Sequence, residues 1–202
     1  IALSENQTLN SAAQKYGYQL GAQSVVAGTN IDEVVESIKE LNAQGIACTV
    51  DNLGEFVFEK EAALAAKEQI LAVIERIHSD NLDAHISLKP SQLGLDIDVD
   101  FCYENLKEIV ALANNYQIFV NFDMENYARL YPSFDLLEQL NAEYGNVGTV
   151  IQAYFFESDD NIERFKDYRL RLVKGAYKED PSVAFQDKFD IDRKFIAQIE
   201  YH

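Results

Sequence analysis

The sequence predicts an α/β fold built on a parallel sheet, and two observations predict it. Along the chain the hydrophobic period switches repeatedly between the 3.6-residue spacing of a helix and the two-residue spacing of a strand, giving a βα unit five times over. Each strand found this way has one apolar face and one mixed face, and most of the mixed faces carry a polar group near their C-terminal end.

The elements follow in order. Two helices are expected to lead, and the second spans 31–41, where Ile31, Val34, Val35, Ile38 and Leu41 share a face. Asn30 with Glu33 three residues on gives that helix a capping-box-like start. GIACTVD (45–51) reads as a short strand opened by Gly45, and 60–79 as a helix with Ile70, Val73, Ile74 and Ile77 aligned. HISLK (85–89) is a strand ending before Pro90, followed by a helix over 101–116 built on Leu106, Ile109, Val110 and Ala113. QIFVNFDM (117–124) is a strand, 133–144 a helix closed by Gly145, and GTVIQAYF (148–155) a strand. A short helix over 159–167, the strand RLVKGAY (171–177) and a helix over 188–201 complete the chain. No linker or composition shift divides it, so residues 1–202 read as one domain.

Strands alternating with helices of this length argue for right-handed βαβ units. Two architectures compete, an open doubly wound sheet and a closed barrel. The turn after the first strand, DNLGEF, has no GxGxxG pattern, so a dinucleotide-binding doubly wound sheet is disfavoured. Five βα units fall short of the eight that close a barrel.

Parity sorts the strand faces. His85, Ser87 and Lys89 oppose Ile86 and Leu88; Phe119, Asn121 and Asp123 oppose Ile118, Val120 and Phe122. Gln152 shares a face with Gly148, Val150 and Tyr154, Asp51 with Ala47 and Thr49, and Arg171 with Val173 and Gly175. Asp51, Lys89, Asp123 and Gln152 thus end successive mixed faces, where a parallel barrel keeps its chemistry. Arg171 lies nearer the start of its strand. The plain alternative is a buried ion-pair layer that only fixes the sheet.

Composition narrows the partners. With 17 basic and 34 acidic residues the formal charge is −17, which repels nucleic acid and an anionic membrane surface. No run of about 18 apolar residues is present, so no stable membrane span is expected. The opening IALSENQTLN is polar, without the basic start of a signal peptide. Cys48 and Cys102 form no CxxC pair, and His78, His85 and His202 have no metal-ligand spacing, so a disulfide framework and a metal site are not expected and a reducing cytoplasm fits.

The segments VVAGTNIDE (25–33), TVDNLGEFV (49–57), SLKPSQLGLD (87–96), NFDMEN (121–126), VIQAY (150–154) and RLVKGAYKE (171–179) closely resemble the bacterial monofunctional FAD-dependent proline dehydrogenases, in order along essentially the whole chain. The resemblance implies a distorted (βα)8 TIM-type barrel, of which this chain supplies N-terminal helices and about the first five βα units. It implies oxidation of L-proline to Δ1-pyrroline-5-carboxylate, the first step of proline catabolism, with hydride passing to N5 of a non-covalent FAD. Electrons would leave to a quinone or another acceptor. A homo-oligomer, and a cytoplasmic place with the inner face of the membrane as a peripheral option, belong to the same expectation.

Carried over position by position, Lys89, Asp123 and Arg171 are the expected catalytic residues. Lys89 and Asp123, with Ala176 and Tyr177, would take the proline side, and Asp123 is the nearest candidate to accept the amine proton or, equally, to orient Lys89. Gln152 would bond the isoalloxazine edge and Arg171 would sit near its N5, with Asp123, Val173, Lys174, Gly175 and Ala176 lining the flavin. Glu157 departs from the family's pattern, standing where a basic residue is usual, and Asn126 stands for a usual Asp. The family continues past the point matched by His202 with further strands and a helix bearing paired arginines that bind the proline carboxylate. Two rival readings remain: a Schiff-base aldolase using Lys89 (Lys174 has outward parity), and an inert or self-associating fragment with exposed sheet edges.

Overall fold

A computed structural model describes residues 26–201. The polar opening segment and the first of the two leading helices lie outside these residues. The remainder is a five-stranded, wholly parallel sheet of sequential order β1–β2–β3–β4–β5. The strands are β1 (Cys48–Asp51), β2 (Ala84–Leu88), β3 (Val120–Phe122), β4 (Val147–Gln152) and β5 (Arg169–Val173). A doubly wound sheet reverses its order partway; this one does not, so the half-barrel alternative stands over the open one.

The helices are α1 (Ile31–Asn42), α2 (Lys60–Ser79), α3 (Val99–Asn115), α4 (Tyr127–Tyr144), α5 (Ser158–Arg164) and α6 (Lys188–Tyr201). Asn30 caps α1 by accepting from the Glu33 N–H at 3.1 Å, and Asp98 caps α3 by accepting from Phe101. Ile70, Ile74 and Ile77 of α2, Leu106, Ile109 and Val110 of α3, and Phe134, Leu137 and Leu140 of α4 pack on Ile86, Leu88, Val120, Phe122 and Ile151. That is the apolar parity set, so the helices cover that face and the mixed set is left on the other. Thr149, on the helix side, is satisfied by donating to the Phe122 carbonyl at 3.1 Å.

Several boundaries differ from expectation, each for a local reason. Gly45 does not open β1: at φ +77° it belongs to the turn after α1, where the Ile46 N–H returns to the Leu41 carbonyl. Gln117, at φ +59°, similarly closes α3 as the Ile118 N–H bonds the Ala113 carbonyl, so β3 begins only at Val120. Helix α4 starts six residues earlier than the pattern suggested and runs through Pro132, which forfeits one hydrogen bond without ending the helix. Strand β5 starts at Arg169, which places Arg171 in mid-strand, and it stops at Val173.

Candidate active site

Register sets the inward layers. Asp51 pairs with Ser87, Ser87 with Asn121, Val150 with Arg171, and Gln152 with Val173. Beneath them, His85 bonds Thr49 across 3.0 Å and meets Phe119 edge-on, while Arg169 lies over the Phe119 ring at 4.5 Å. Gly148 makes this possible, because a side chain there would run into the Phe119 ring and the Arg169 carbonyl.

At the C-terminal ends, the carboxylate of Asp123 is the centre. Its Oδ1 accepts from Ser87 Oγ at 2.6 Å, from Asn121 Nδ2 at 2.9 Å and from the Arg171 guanidinium. Its Oδ2 accepts from Lys89 Nζ at 3.3 Å, and the same ammonium donates to Asp51 at 3.0 Å. Burial pushes the Lys89 ammonium down, but its hydrogen bonds to, and the charges of, Asp51 and Asp123 outweigh burial and hold it above the ordinary lysine value. Arg171 differs from its neighbours: its side chain is 46% exposed, against 15% for Asp123.

Gln152 is buried at the end of β4, with both ends of its amide used. Its Nε2 donates to the Glu125 carbonyl at 2.9 Å and its Oε1 accepts from the Ala176 N–H at 3.1 Å. Val173 lies half-buried beside it. Gly175 has φ +130° and rests on the Tyr154 ring, whose carbon atoms would lie 2.5 Å from any Cβ. Tyr177 donates to Glu55 of the β1–α2 loop at 3.0 Å, and the structure thereby brings a loop no parity argument could place onto the mouth of the sheet.

Lys174 is the correction among the expected side chains. It leaves the cluster and donates to Asp192 of α6 at 2.6 Å, because its parity directs it outward. Glu157 accepts from Tyr127 at 3.2 Å and also from Tyr131, so this carboxylate is fixed by α4. Its hydrogen bond helps push the Tyr131 phenol up to about 12.

Sequence reading missed Glu125. It is fully buried and accepts from both the main chain and the hydroxyl of Ser91, which is also fully buried. Desolvation drives its carboxyl upward, opposed by the Ser91 bonds and Arg129. The signal available was a glutamate two residues after a strand-end aspartate, but Ser91 lies 34 residues away and no spacing links them.

A family model described as proline dehydrogenase matches residues 34–190, from α1 into the start of α6. Proline dehydrogenase 2 of Bacillus subtilis is 38% identical over 197 residues, 96% of this chain and 65% of its own length. Proline dehydrogenase of Deinococcus radiodurans is 30% identical over 209 residues, covering 100% of this chain and 67% of its own length. The chain therefore spans about two thirds of the length of these relatives. Among solved structures, proline utilization A from Bdellovibrio bacteriovorus superposes with a TM-score of 0.83 at 20% identity, covering 96% of this chain and 25% of that one, a likeness of fold. The match takes in every strand that carries the cluster, from Asp51 to Arg171, and on it the chain belongs to the proline dehydrogenase family.

Proposed function

We propose that the full-length protein oxidises L-proline to Δ1-pyrroline-5-carboxylate with FAD as its cofactor. The observation that carries this reading is the Lys89–Asp123–Arg171 cluster at the C-terminal strand ends of a chain in this family. An eight-stranded closure of the sheet within a single barrel domain, and a quinone or other electron acceptor, belong to the same proposal.

The residues present fit a flavin ring. Arg171 spends one guanidinium nitrogen on Asp123 and keeps other N–H donors at an open mouth. Val173, Gly175, Ala176 and Gln152 would be the residues to hold the ring. Lys174 would contribute main chain alone. FAD, when bound, supplies the hydride acceptor at its N5. Arg171 would supply a permanent cation to favour the negative charge of a reduced flavin, the kind of electrostatic assistance such a reaction needs.

Lys89, Asp123, Ala176 and Tyr177 take the proline side. Asp123 accepts from four donors, two of them cations, so both its oxygens are already committed to neighbouring side chains. Its work is to hold Lys89 and Arg171 in place and balance their charge. The amine proton of proline then leaves to water. The aldolase reading loses ground on Lys89: a Schiff-base lysine must be neutral, whereas this ammonium is held charged.

The test is an absorption spectrum and a dye-reduction assay on the purified full-length protein. A flavin spectrum with proline-dependent dye reduction is expected. Colourless protein that ignores added FAD overturns the proposal.

A further inference from the structure

A continuous chain of hydrogen bonds runs just behind the ion cluster, joining the loops that follow four strands. It begins in the β1–α2 loop, where the Phe56 N–H donates to Ser91 Oγ at 2.9 Å and the Val57 N–H to the Ser91 carbonyl at 3.1 Å. Gln92 adds a bond to the Asn52 carbonyl at 2.9 Å. Ser91, in the short 3-10 turn after β2, donates its N–H to Glu125 Oε2 at 3.1 Å and its hydroxyl to Glu125 Oε1. The Glu125 carbonyl then receives Gln152, and Gln152 receives the Ala176 N–H.

We propose that Ser91 and Glu125 are positioning residues that fix the β1–α2 loop, and with it Glu55 and Tyr177, against the end of the sheet that carries Gln152 and Ala176. Three features argue that this pair does more than fill space. Both residues are fully buried, and a carboxylate in such a place is expensive unless its geometry is used. The loop it holds is strained, because Phe56 sits at φ +56°, a conformation that a bulky residue adopts only when its surroundings enforce it. Ser91 supplies that enforcement by taking the Phe56 N–H, while Arg129, fixed by Asp96 and Asn126, lies over the Phe56 ring at 4.5 Å. Lys89 and Asp123 stand two residues before Ser91 and Glu125, so the pair locks both strand ends where the cluster begins.

The consequence for turnover rests on the proposed proline oxidation; the consequence for the loop does not. The variants are Ser91→Ala, Glu125→Ala and Glu125→Gln, with Lys67→Met as a control. Lys67, buried on α2, pairs with Glu108 of α3 at 2.6 Å, away from the strand ends. Loss of one buried bond of this kind is worth about a tenfold change in the quantity it controls. Ser91→Ala and Glu125→Ala are expected to raise KM for proline about tenfold with kcat nearly unchanged, and to speed amide exchange at Phe56 and Val57 by a similar factor. Glu125→Gln preserves an acceptor for the Ser91 N–H and an amide donor for its hydroxyl, and is expected to restore both quantities. Lys67→Met is expected to lower Tm alone.

If Ser91→Ala lowers Tm while exchange at Phe56 and the KM stay as in the unaltered protein, or if Lys67→Met reproduces the same pattern, the pair is merely structural and the proposal falls. Exchange is read without substrate. A protein inactive toward proline would overturn the proposed reaction, and the exchange rates would still decide the role of Ser91 and Glu125.

Discussion

The two sides of the strand-end cluster are built differently. On the β2–β3 side, Ser87, Asn121 and Glu125 are buried, and the side chains of Asp123 and Lys89 are only 15% and 17% exposed, with every carboxylate oxygen of Asp123 engaged. On the β5 side, Arg171 is 46% exposed and Gly175 and Ala176 lie open. One side is fixed before any ligand arrives, while the other keeps donors and flat backbone at the surface. The proposed hydride transfer would use that division, with a rigid frame for the small substrate and an accessible face for a large planar cofactor.

The division can be broken most severely at Asp123. Asp123→Ala leaves Lys89 and Arg171 without their shared anion and strips the acceptor from Ser87 and Asn121. Breaking a largely buried pair from one end costs about 3 kcal/mol, which denaturant unfolding would register. Proline-dependent dye reduction should fall at least about 100-fold as the cations lose their positions. Retention of more than a tenth of the activity would mean that the closed side is not preorganised by this carboxylate.

Arg171→Met tests the open side and should separate the two measurements. Removing a cation beside the developing charge is expected to lower kcat/KM about 100-fold. Stability should change by less than about 1 kcal/mol, since an exposed pair contributes little. Arg171→Lys should not restore activity, because an ammonium lacks the planar fork of donors. A large loss of Tm in Arg171→Met would show that the open side is as structural as the closed one.

Gly175→Ala has a smaller effect on the same side. At φ +130° any L side chain is strained, and the added Cβ meets the Tyr154 ring. About 1–3 kcal/mol of stability should be lost, together with a shift in the visible flavin band if Ala176 is displaced from Gln152. An unchanged Tm would show that the backbone here adapts freely.

How much of this was legible in the chain depends on which physical signal a residue carries. Lys89, Asp123 and Gln152 stood out because a period of two assigns every strand residue to a face, and the structure brings Lys89, Asp123 and Arg171 into contact. Their chemical roles came from the family resemblance, and parity alone allowed an inert ion-pair layer. Glu125 and Ser91 were invisible because both lie in turns past the strand ends, where parity no longer applies and the partner is set by packing of separate loops. The start of α4 was placed six residues late for a related reason: the helix runs on through Pro132, which costs one hydrogen bond, and the packing of Leu130, Phe134 and Leu137 outweighs that loss. Glu55 was likewise hidden, since only the fold brings the β1–α2 loop to Tyr177.

The smallest effect concerns the pH dependence of the closed side. Burial lowers the Lys89 ammonium, but bonds and charges from Asp51 and Asp123 outweigh it and hold the group above the ordinary lysine value in the folded protein. The unfolded chain returns it to about 10.4. A raised folded pKa means that the folded state binds the proton more tightly, so the stabilisation is fully present below about pH 10.4 and is lost as pH rises through the higher folded value. The difference in Tm between the unaltered protein and Lys89→Met should therefore be constant through the neutral range and shrink only in strong alkali. A difference that instead grows with pH between 7 and 9, the unfolded chain then binding the proton more tightly than the folded one, would place the lysine below its ordinary value. It would then be a neutral amine at working pH, the closed side would lose its fixed cation, and the Schiff-base reading of Lys89 would regain its footing.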